Sequence, residues 1–396
     1  MVAFKYPMSR AEPVQIESDS DLLYNLNNYC CLFDIEIHGL KPKLFYDHPL
    51  SRYKCYDLKE AQEDNGRIVR AAHLYTTLTE QDFFTLQEFY SWDYITIGKF
   101  YRFMRGYLPT SFIKAILKLY EDKTTLKGVK GKETEYTVSK GMLNACYGMA
   151  VTDIVRPEYT YADDWGIKEA DTEKQIEKYN KGRRRFLFYP WGVWVTAYAR
   201  RNLFDGIKAF GSDYIYSDTD SIKALNGEKH SEYIESYNRH AAELLQAACK
   251  HHNIPEEAIK PKTIKGIEKP LGVWDFEGVY DTAKFLGAKR YLVEKEGKLE
   301  LTVAGVGKKS GAAWLSDTYG SGAFEAFSDG LVFPEAATGK NTHIYIDEPH
   351  AGIVTDYTGR QGYYNELSAI HLEGAPYEMT LSKLYADYLI RGLFYE

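Results

Sequence analysis

The stretch from Tyr214 to Ala224 reads YIYSDTDSIKA, and it constrains the fold more than any other segment. An alternating aromatic and aliphatic run leads into Asp218 and Asp220, which flank one threonine, and an apolar pair follows. Alternation of this kind is typical of a half-buried strand. The sequence therefore predicts a strand, a tight turn and a second strand, with paired carboxylates at the turn.

The Asp-x-Asp pair alone leaves several functions open. Paired carboxylates are hard oxygen ligands suited to a divalent cation. The same pattern also occurs in simple polar turns, in sugar-nucleotide transferases and in phosphatases. The motif by itself indicates a divalent cation and no particular reaction.

Composition describes an ordinary globular protein with segregated charge. The chain has 396 residues, 44% hydrophobic and 27% charged, which is long enough for two or three cores. A net charge of −7 argues against a protein that coats nucleic acid indiscriminately. A local basic groove stays open, because lysines and arginines cluster in residues 114–140, 181–185, 199–201, 260–269 and 288–291.

The cysteines and the apolar runs indicate the compartment. The five cysteines form an odd set without metal-ligand spacing, which favours a reducing environment. The start of the chain has no signal-peptide pattern, and the longest apolar run, from Phe186, is too short to span a bilayer. We expect a cytoplasmic protein without membrane contact.

Helical spacing appears in three places. Thr79, with Gln81 and Asp82 behind it, marks a helix start. The stretches LPTSFIKAILKLYEDKTTLKG, from Leu108, and YTVSKGMLNACYG, from Tyr136, carry helical periodicity around the glycine-punctuated KGVKGKE, which predicts a helical hairpin.

The second limb of this hairpin carries polar groups at helical intervals. Lys140, Asn144 and Tyr147 lie at i, i+4 and i+7, and therefore on one face. A lysine suits phosphate and a tyrosine offers a stacking face to a base. The alternative is an ordinary amphipathic helix with a solvated Lys140 and a core Tyr147.

Taken in order, these motifs resemble the palm and fingers of family B DNA polymerases, more closely the protein-primed subgroup of bacteriophages and linear plasmids. YSDTDS resembles motif C of that family, and KGMLNACYG resembles motif B, with Ala145 where Ser is usual. AKRY resembles the Lys-x-Tyr motif, YPWGVWVTAYARR the palm helix, and VAGVGKK the segment leading to the thumb. The order and spacing agree over residues 1 to roughly 310.

The resemblance implies an α+β fold shaped as a polymerase right hand, with an antiparallel-sheet palm, helical-hairpin fingers, a small thumb and two inserted subdomains. The implied divisions begin with a palm remnant (1–20), an inserted α+β subdomain like the first terminal-protein region (21–110) and the fingers (111–150). A second insertion (151–188), the palm (189–300) and the thumb with a C-terminal tail (301–396) follow.

The resemblance also implies the chemistry, which is template-directed addition of dNTPs to a primer 3′ hydroxyl by two Mg²⁺ ions, with Mn²⁺ as the alternative ion. Asp218 and Asp220 would be the catalytic metal ligands, with Asp220 binding both ions. The residues implied to bind the nucleotide are Lys123, Lys140, Asn144 and Tyr147. The residues implied to bind the primer DNA are Lys289 and Tyr291. The implied partners are primer-template DNA, dNTPs and a terminal-protein primer, in the cytoplasm of a bacterial host.

Motif A of the family is an Asp followed after a few residues by Tyr-Pro, and no Asp precedes the YP of FKYP at Phe4. We therefore expect a form that lacks the motif A aspartate and the exonuclease domain, with impaired activity unless an upstream polypeptide supplies them. Glu12 or Asp34 could otherwise fill the site. The rival functions are a non-catalytic DNA-binding or replisome protein derived from a polymerase, and another metal-dependent nucleotidyl or glycosyl transferase.

Overall fold

The computed structural model divides the chain into two compact units. Residues 1–152 and 186–277 belong to the first unit, and residues 153–185 and 278–387 belong to the second. The structure describes residues 1–43, 47–64, 66–155, 158–161, 165–168, 170–182, 188–338, 341–345, 351–355, 361–365, 368–372 and 376–379. Much of the predicted tail therefore lies outside the described residues.

The described chain contains both helices and strands. The helices are α1 (Asp19–Asn28), α2 (Glu80–Phe89), α3 (Thr110–Leu126), α4 (Glu133–Ala145), α5 (Thr172–Lys181), α6 (Tyr189–Phe210), α7 (Ser231–His252), α8 (Lys308–Tyr319) and α9 (Ala323–Ala326). The strands before α4 are β1 (Tyr6–Pro7), β2 (Glu12–Val14), β3 (Cys30–Pro42), β4 (Cys55–Lys59), β5 (Gln62–Asp64), β6 (Arg67–Thr79), β7 (Tyr90–Ser91), β8 (Tyr94–Phe103) and β9 (Arg105–Gly106).

The described strands after α4 form two-stranded pairs and one three-stranded sheet. They are β10 (Glu158–Tyr161), β11 (Trp165–Lys168), β12 (Tyr214–Asp218), β13 (Ser221–Ala224), β14 (Thr282–Gly287), β15 (Arg290–Lys295), β16 (Lys298–Val303), β17 (Val332–Phe333), β18 (Asn341–Tyr345), β19 (Ala351–Thr355), β20 (Gln361–Asn365), β21 (Ser368–Leu372) and β22 (Tyr377–Glu378).

A seven-stranded antiparallel sheet is the main element of the first unit. Its order is β2-β8-β3-β6-β4, with β5 paired to β6 and β7 paired to β3. Along β3 the side chains of Phe33, Ile35 and Ile37 are buried while their neighbours are half-exposed, as period-two alternation requires. Helices α1 and α2 and the end of α6 supply the rest of this core.

The sequence prediction of a helix start at Thr79 is confirmed. The Thr79 hydroxyl accepts a hydrogen bond from the Asp82 amide at 3.1 Å, which caps the first turn of α2. The helix lies against α6, and the packing joins the seven-stranded sheet to the long helix that precedes β12.

The predicted helical hairpin is also confirmed. Ile113, Ile116 and Leu117 are the buried stripe of α3, as their spacing predicts. Gly128 and Gly131 both take φ +80, a left-handed conformation that suits glycine, and they turn the chain between α3 and α4. No residue of α4 itself is buried, so most of its surface faces solvent.

The N-terminal segment packs on α6. The ring of Phe4 stacks on that of Tyr198 at 4.3 Å, and the Tyr198 hydroxyl donates to the Lys5 carbonyl at 2.9 Å. Tyr6 is fully buried, and the indole N–H of Trp191 donates to the Pro7 carbonyl. The FKYP segment is therefore part of the core that contains α6.

In the second unit, the three-stranded antiparallel sheet β14-β15-β16 packs against α8. Its core contains Leu292, Leu301, Leu315, Phe327 and Phe333. In the described ranges, no helix combines the length and the apolar character that crossing a bilayer requires. All five cysteines are free thiols and all are buried.

Candidate metal and nucleotide site

The predicted strand-turn-strand over residues 214–224 is present. Strands β12 and β13 pair antiparallel with Asp218 opposite Ser221, so Thr219 and Asp220 form a two-residue loop. The Asp220 amide donates to the Asp218 carbonyl at 2.7 Å, and the Ser221 hydroxyl donates to the same carbonyl at 3.1 Å. These bonds place both carboxylates at the tip of the hairpin.

Thr219 takes an unusual backbone conformation at this tip. Its φ of +60 lies in the left-handed region, where a β-branched residue is strained by about 1–2 kcal/mol. Its hydroxyl donates to Oδ1 of Asp218 at 3.0 Å. Strain of this kind is concentrated at functional sites, where the surrounding structure holds it in place. The outlier marks the hairpin tip as a functional candidate independently of its carboxylates.

The base of the hairpin is fixed by its neighbours. Tyr214 is buried in the core beside Phe204 and Ile207 of α6. The Asp213 carboxylate accepts from the Asn226 amide at 2.8 Å and from the His230 ring at 2.9 Å. These donors hold the pKa of Asp213 below its ordinary value, with the Asn226 bond contributing most. The carboxylate therefore stays ionised and keeps the loop after β13 in place.

The two carboxylates suit Mg²⁺ as part of a ligand set. Asp218 is half-buried and Asp220 is exposed, so water and a phosphate could complete the coordination of an ion there. Among the described residues, one group of three His, Cys, Asp or Glu side chains is close enough to share an ion. That group does not include Asp218 or Asp220.

The carboxylates that could replace the motif A aspartate have other partners. Glu12 lies on β2 and forms a bidentate ion pair with Arg102, with both contacts at 2.9 Å. Asp34 lies on β3 and accepts a hydrogen bond from the Thr77 hydroxyl at 2.6 Å. Both belong to the seven-stranded sheet, whereas β12 and β13 form a sheet of their own. Neither completes the Asp218–Asp220 pair.

The hairpin α3–α4 presents the predicted nucleotide-binding residues. Lys140 and Asn144 are exposed on α4. Tyr147 lies just beyond the helix end but keeps helical dihedral angles, and its side chain is 42% exposed, which contradicts the alternative of a core tyrosine. Lys123 on α3 is half-buried, with its Nζ 5.7 Å from the centroid of the Tyr120 ring.

The predicted primer-binding residues lie in the second unit. Lys289 is exposed in the turn between β14 and β15 with φ +52, and its carbonyl accepts from the Ala304 amide. Tyr291 follows on β15 and borders an open cleft of about 660 Å³. The cleft is also lined by Tyr280, Lys298, Lys308 and Lys309, a combination of aromatic and cationic side chains that suits a nucleic-acid strand.

Comparisons with known proteins agree with this architecture. No protein-family profile and no curated protein matches the sequence. Among solved structures, the chain is similar to phi29 DNA polymerase complexed with primer-template DNA and incoming nucleotide substrates, with a TM-score of 0.55, 15% identity and 96% of this chain covered. The fold is that of a DNA polymerase.

Two further structures give the same result. The binary complex of phi29 DNA polymerase with primer-template DNA matches with a TM-score of 0.52 and 16% identity. The orthorhombic crystal form of phi29 DNA polymerase matches with a TM-score of 0.50 and 17% identity. The chain spans only 53–55% of the length of these polymerases. At this identity the similarity concerns the fold.

Sequence reasoning missed two clusters of the first unit. One is Glu36, His38 and His73 on the seven-stranded sheet. The other is the buried Glu80, which accepts hydrogen bonds from the Cys31 amide and the Trp194 indole. The i, i+2 spacing of Glu36 and His38 could have indicated the first cluster, but the strand pairing that adds His73 is not visible in the sequence.

Proposed function

We propose that this chain is the polymerising part of a template-directed DNA polymerase of the protein-primed family B type, which adds dNTPs to a primer 3′ hydroxyl. The observation that carries the proposal is the strained Asp218-Thr219-Asp220 tip in a chain whose fold is similar to that of phi29 DNA polymerase. A glycosyltransferase has no use for the Lys140–Asn144–Tyr147 face or for the AKRY stretch.

Each candidate residue has a role in this proposal. Asp218 and Asp220 would hold Mg²⁺, which neutralises charge on the phosphates and on the attacking hydroxyl when it is bound. Lys123 and Lys140 would attract the triphosphate. The residues that would line the nascent base pair are Asn144 and Tyr147. The residues that would grip the primer strand are Lys289 and Tyr291.

We further propose that a third carboxylate, from outside the described residues, completes the metal site. Among the described residues, no group of three or more close acidic, thiol or imidazole ligands includes Asp218 or Asp220, and losing one well-placed electrostatic group costs catalysis about a hundred- to a thousandfold. An upstream polypeptide with the motif A aspartate is the proposed source. The chain alone should bind DNA and dNTP but extend primers poorly.

The same observation keeps a second function open, that of a non-catalytic DNA-binding or replisome protein derived from a polymerase. The exposed nucleotide face of α4 and the cationic cleft beside Tyr291 would then retain binding while the metal pair no longer supports synthesis. The inserted subdomain around the seven-stranded sheet is the proposed contact for a terminal-protein primer under either function.

A primer-extension assay with Mg²⁺ tests the proposal. We expect weak extension by the purified chain, a large gain when the upstream segment is supplied in trans, and loss of that gain in Asp218→Asn and Asp220→Asn. Glu232→Gln, an exposed acid on α7, is the matched control. Robust extension by the chain alone would contradict the need for an outside carboxylate. No gain with the upstream segment would favour the non-catalytic alternative.

DNA binding is tested separately by salt. Because each neutralised phosphate releases counterions, affinity for primer-template should fall steeply between low and moderate salt. A flat response would contradict any nucleic-acid function.

A further inference from the structure

A cluster of metal-ligating side chains lies on the solvent-facing side of the seven-stranded sheet. Glu36 and His38 are two residues apart on β3, so both point away from the core that holds Ile35 and Ile37. His73 on β6 is directly opposite His38 in the strand register. The pairing brings three potential ligands to one spot.

The donor atoms converge on one carboxylate oxygen. Nε2 of His73 lies 2.7 Å from Oε1 of Glu36, and Nε2 of His38 lies 3.0 Å from the same oxygen. The ligand atoms of all three residues lie within 4.8 Å of one another.

The other side of the His73 ring fixes which nitrogen faces the cluster. Its Nδ1 lies 2.8 Å from the backbone carbonyl of Asp57, and a carbonyl only accepts, so Nδ1 carries a hydrogen. In the neutral ring, Nε2 then points a lone pair at the Glu36 oxygen. In the protonated ring, Nε2–H donates to that oxygen, and a bound cation would take the position of this hydrogen.

The ring positions are fixed before any ligand binds. His73 is buried, with a side chain 10% exposed, and its Nδ1–H bond to a carbonyl is the arrangement that metal-binding histidines use to orient the ring. The ring of His38 stacks on Tyr94 at 4.2 Å with an interplanar angle of 14°. Little conformational entropy would be lost when a metal binds.

We propose that Glu36, His38 and His73 bind one Zn²⁺ ion, with water as the fourth ligand. Two imidazole nitrogens and one carboxylate oxygen are a common open zinc set. Tetrahedral bonds of about 2.0–2.1 Å require ligand atoms about 3.3 Å apart. The two nitrogens lie 2.7 and 3.0 Å from the Glu36 oxygen and within 4.8 Å of each other, so shifts of about an ångström or less would bring the three atoms to that spacing. The Glu36 and His38 side chains are 39% and 25% exposed, which leaves room for the water.

The ion would join β3 to β6, the two longest strands of the sheet, across a directly opposed pair. The site therefore stabilises the inserted subdomain. It shares no residue with the Asp218–Asp220 hairpin, so this inference does not rest on the proposed polymerase function.

Calorimetric titration of the untagged protein with ZnCl₂, together with visible absorption on adding Co²⁺, tests the site. We expect one tightly bound equivalent and a tetrahedral Co²⁺ spectrum. The substitutions Glu36→Gln, His38→Ala and His73→Asn should each weaken binding by more than about a hundredfold, since each removes a direct ligand. Zn²⁺ should also raise the melting temperature of the wild type and not that of the variants.

Two controls separate this site from others. His240→Ala removes an exposed histidine of α7 and should change nothing. A double Asp218→Asn, Asp220→Asn variant should retain the zinc equivalent. His73 is buried and its variant could unfold, so the two exposed positions, Glu36 and His38, decide the outcome. No saturable binding, binding unchanged in the Glu36 and His38 variants, or binding lost in the aspartate double variant would each overturn the proposal.

Discussion

Replacing Glu80 by alanine should destabilise the first unit more than any exposed substitution does. The Glu80 carboxylate is fully buried and accepts from the Cys31 amide at 2.8 Å and from the Trp194 indole at 2.9 and 3.0 Å. It also accepts from the Gln81 amide at 3.1 Å. Cys31 and Trp194 are themselves buried, so water cannot replace the lost acceptor.

The magnitude follows from these contacts. Each buried N–H left without an acceptor costs about 1–3 kcal/mol, and Glu80→Ala leaves three, on Cys31, Trp194 and Gln81. Removing a buried carboxylate also relieves its desolvation penalty, which offsets part of the loss. We therefore expect the free energy of unfolding to fall by roughly 2–3 kcal/mol. Glu80→Gln keeps one acceptor oxygen and should cost about half as much.

Urea unfolding followed by hydrogen exchange of peptides from β3 and α6 measures this change in the relevant unit. Glu88→Ala is the matched control, because Glu88 lies on the same helix but forms an exposed ion pair with Lys208. Such a pair contributes at most about 1 kcal/mol. Equal losses for Glu80→Ala and Glu88→Ala would refute the reasoning.

The pH dependence gives an independent check. Burial raises the pKa of Glu80 above its ordinary value of 4.5. The folded state therefore binds this proton more tightly than the unfolded state, and the Glu80 contribution to stability declines as pH rises from 4.5 through the folded-state pKa. The difference between wild type and Glu80→Gln should decline over the same interval. A difference independent of pH would contradict the raised pKa.

Three further predictions concern the candidate site. Lys140→Ala should weaken the apparent dNTP affinity about ten- to a hundredfold in the extension reaction restored by the upstream segment, because about 1.5–3 kcal/mol of charge-assisted contact is lost. DNA binding by this variant, and both properties of the control Lys132→Ala, should stay near normal. An equal loss of DNA binding would place Lys140 on the DNA path. Thr219→Gly should leave the melting temperature unchanged or higher, because relief of about 1–2 kcal/mol of strain offsets the entropy cost of glycine, and a clear decrease would show that the tip is unstrained. The Asp213 contribution to stability should be complete above pH 3.8 and lost as pH falls through its lowered folded-state pKa, so acid titration of Asp213→Asn should lack that transition.

Local elements were predictable from the sequence because neighbouring residues determine them. The cap at Thr79, the glycine turn between α3 and α4, and the hairpin at Asp218 all follow from residues within a few positions of one another. The polymerase resemblance added the order of these elements, and the structural similarity supports the fold it implied.

Long-range pairings were not predictable in the same way. Glu80 is an acid in the first turn of α2, yet partners 49 and 114 positions away along the sequence bury it. His73 approaches Glu36 only because β3 and β6 pair in one register. The i, i+4, i+7 spacing places Tyr147 on the face of Lys140 and Asn144, but it does not predict the residue at which α4 ends.

Consecutive residues at the start of α2 each bind a different side chain of α6. Glu80 accepts from Trp194, Gln81 from Arg201, and the carboxylate of Asp82 from Arg200 at 2.7 and 2.9 Å. Exchanging the seven-stranded sheet and α2 with those of a related protein, or deleting them, would break all of these contacts at once. A chimaera should therefore fold only if α2 and α6 are transplanted as a matched pair, and directed evolution of one helix should select compensating changes in the other.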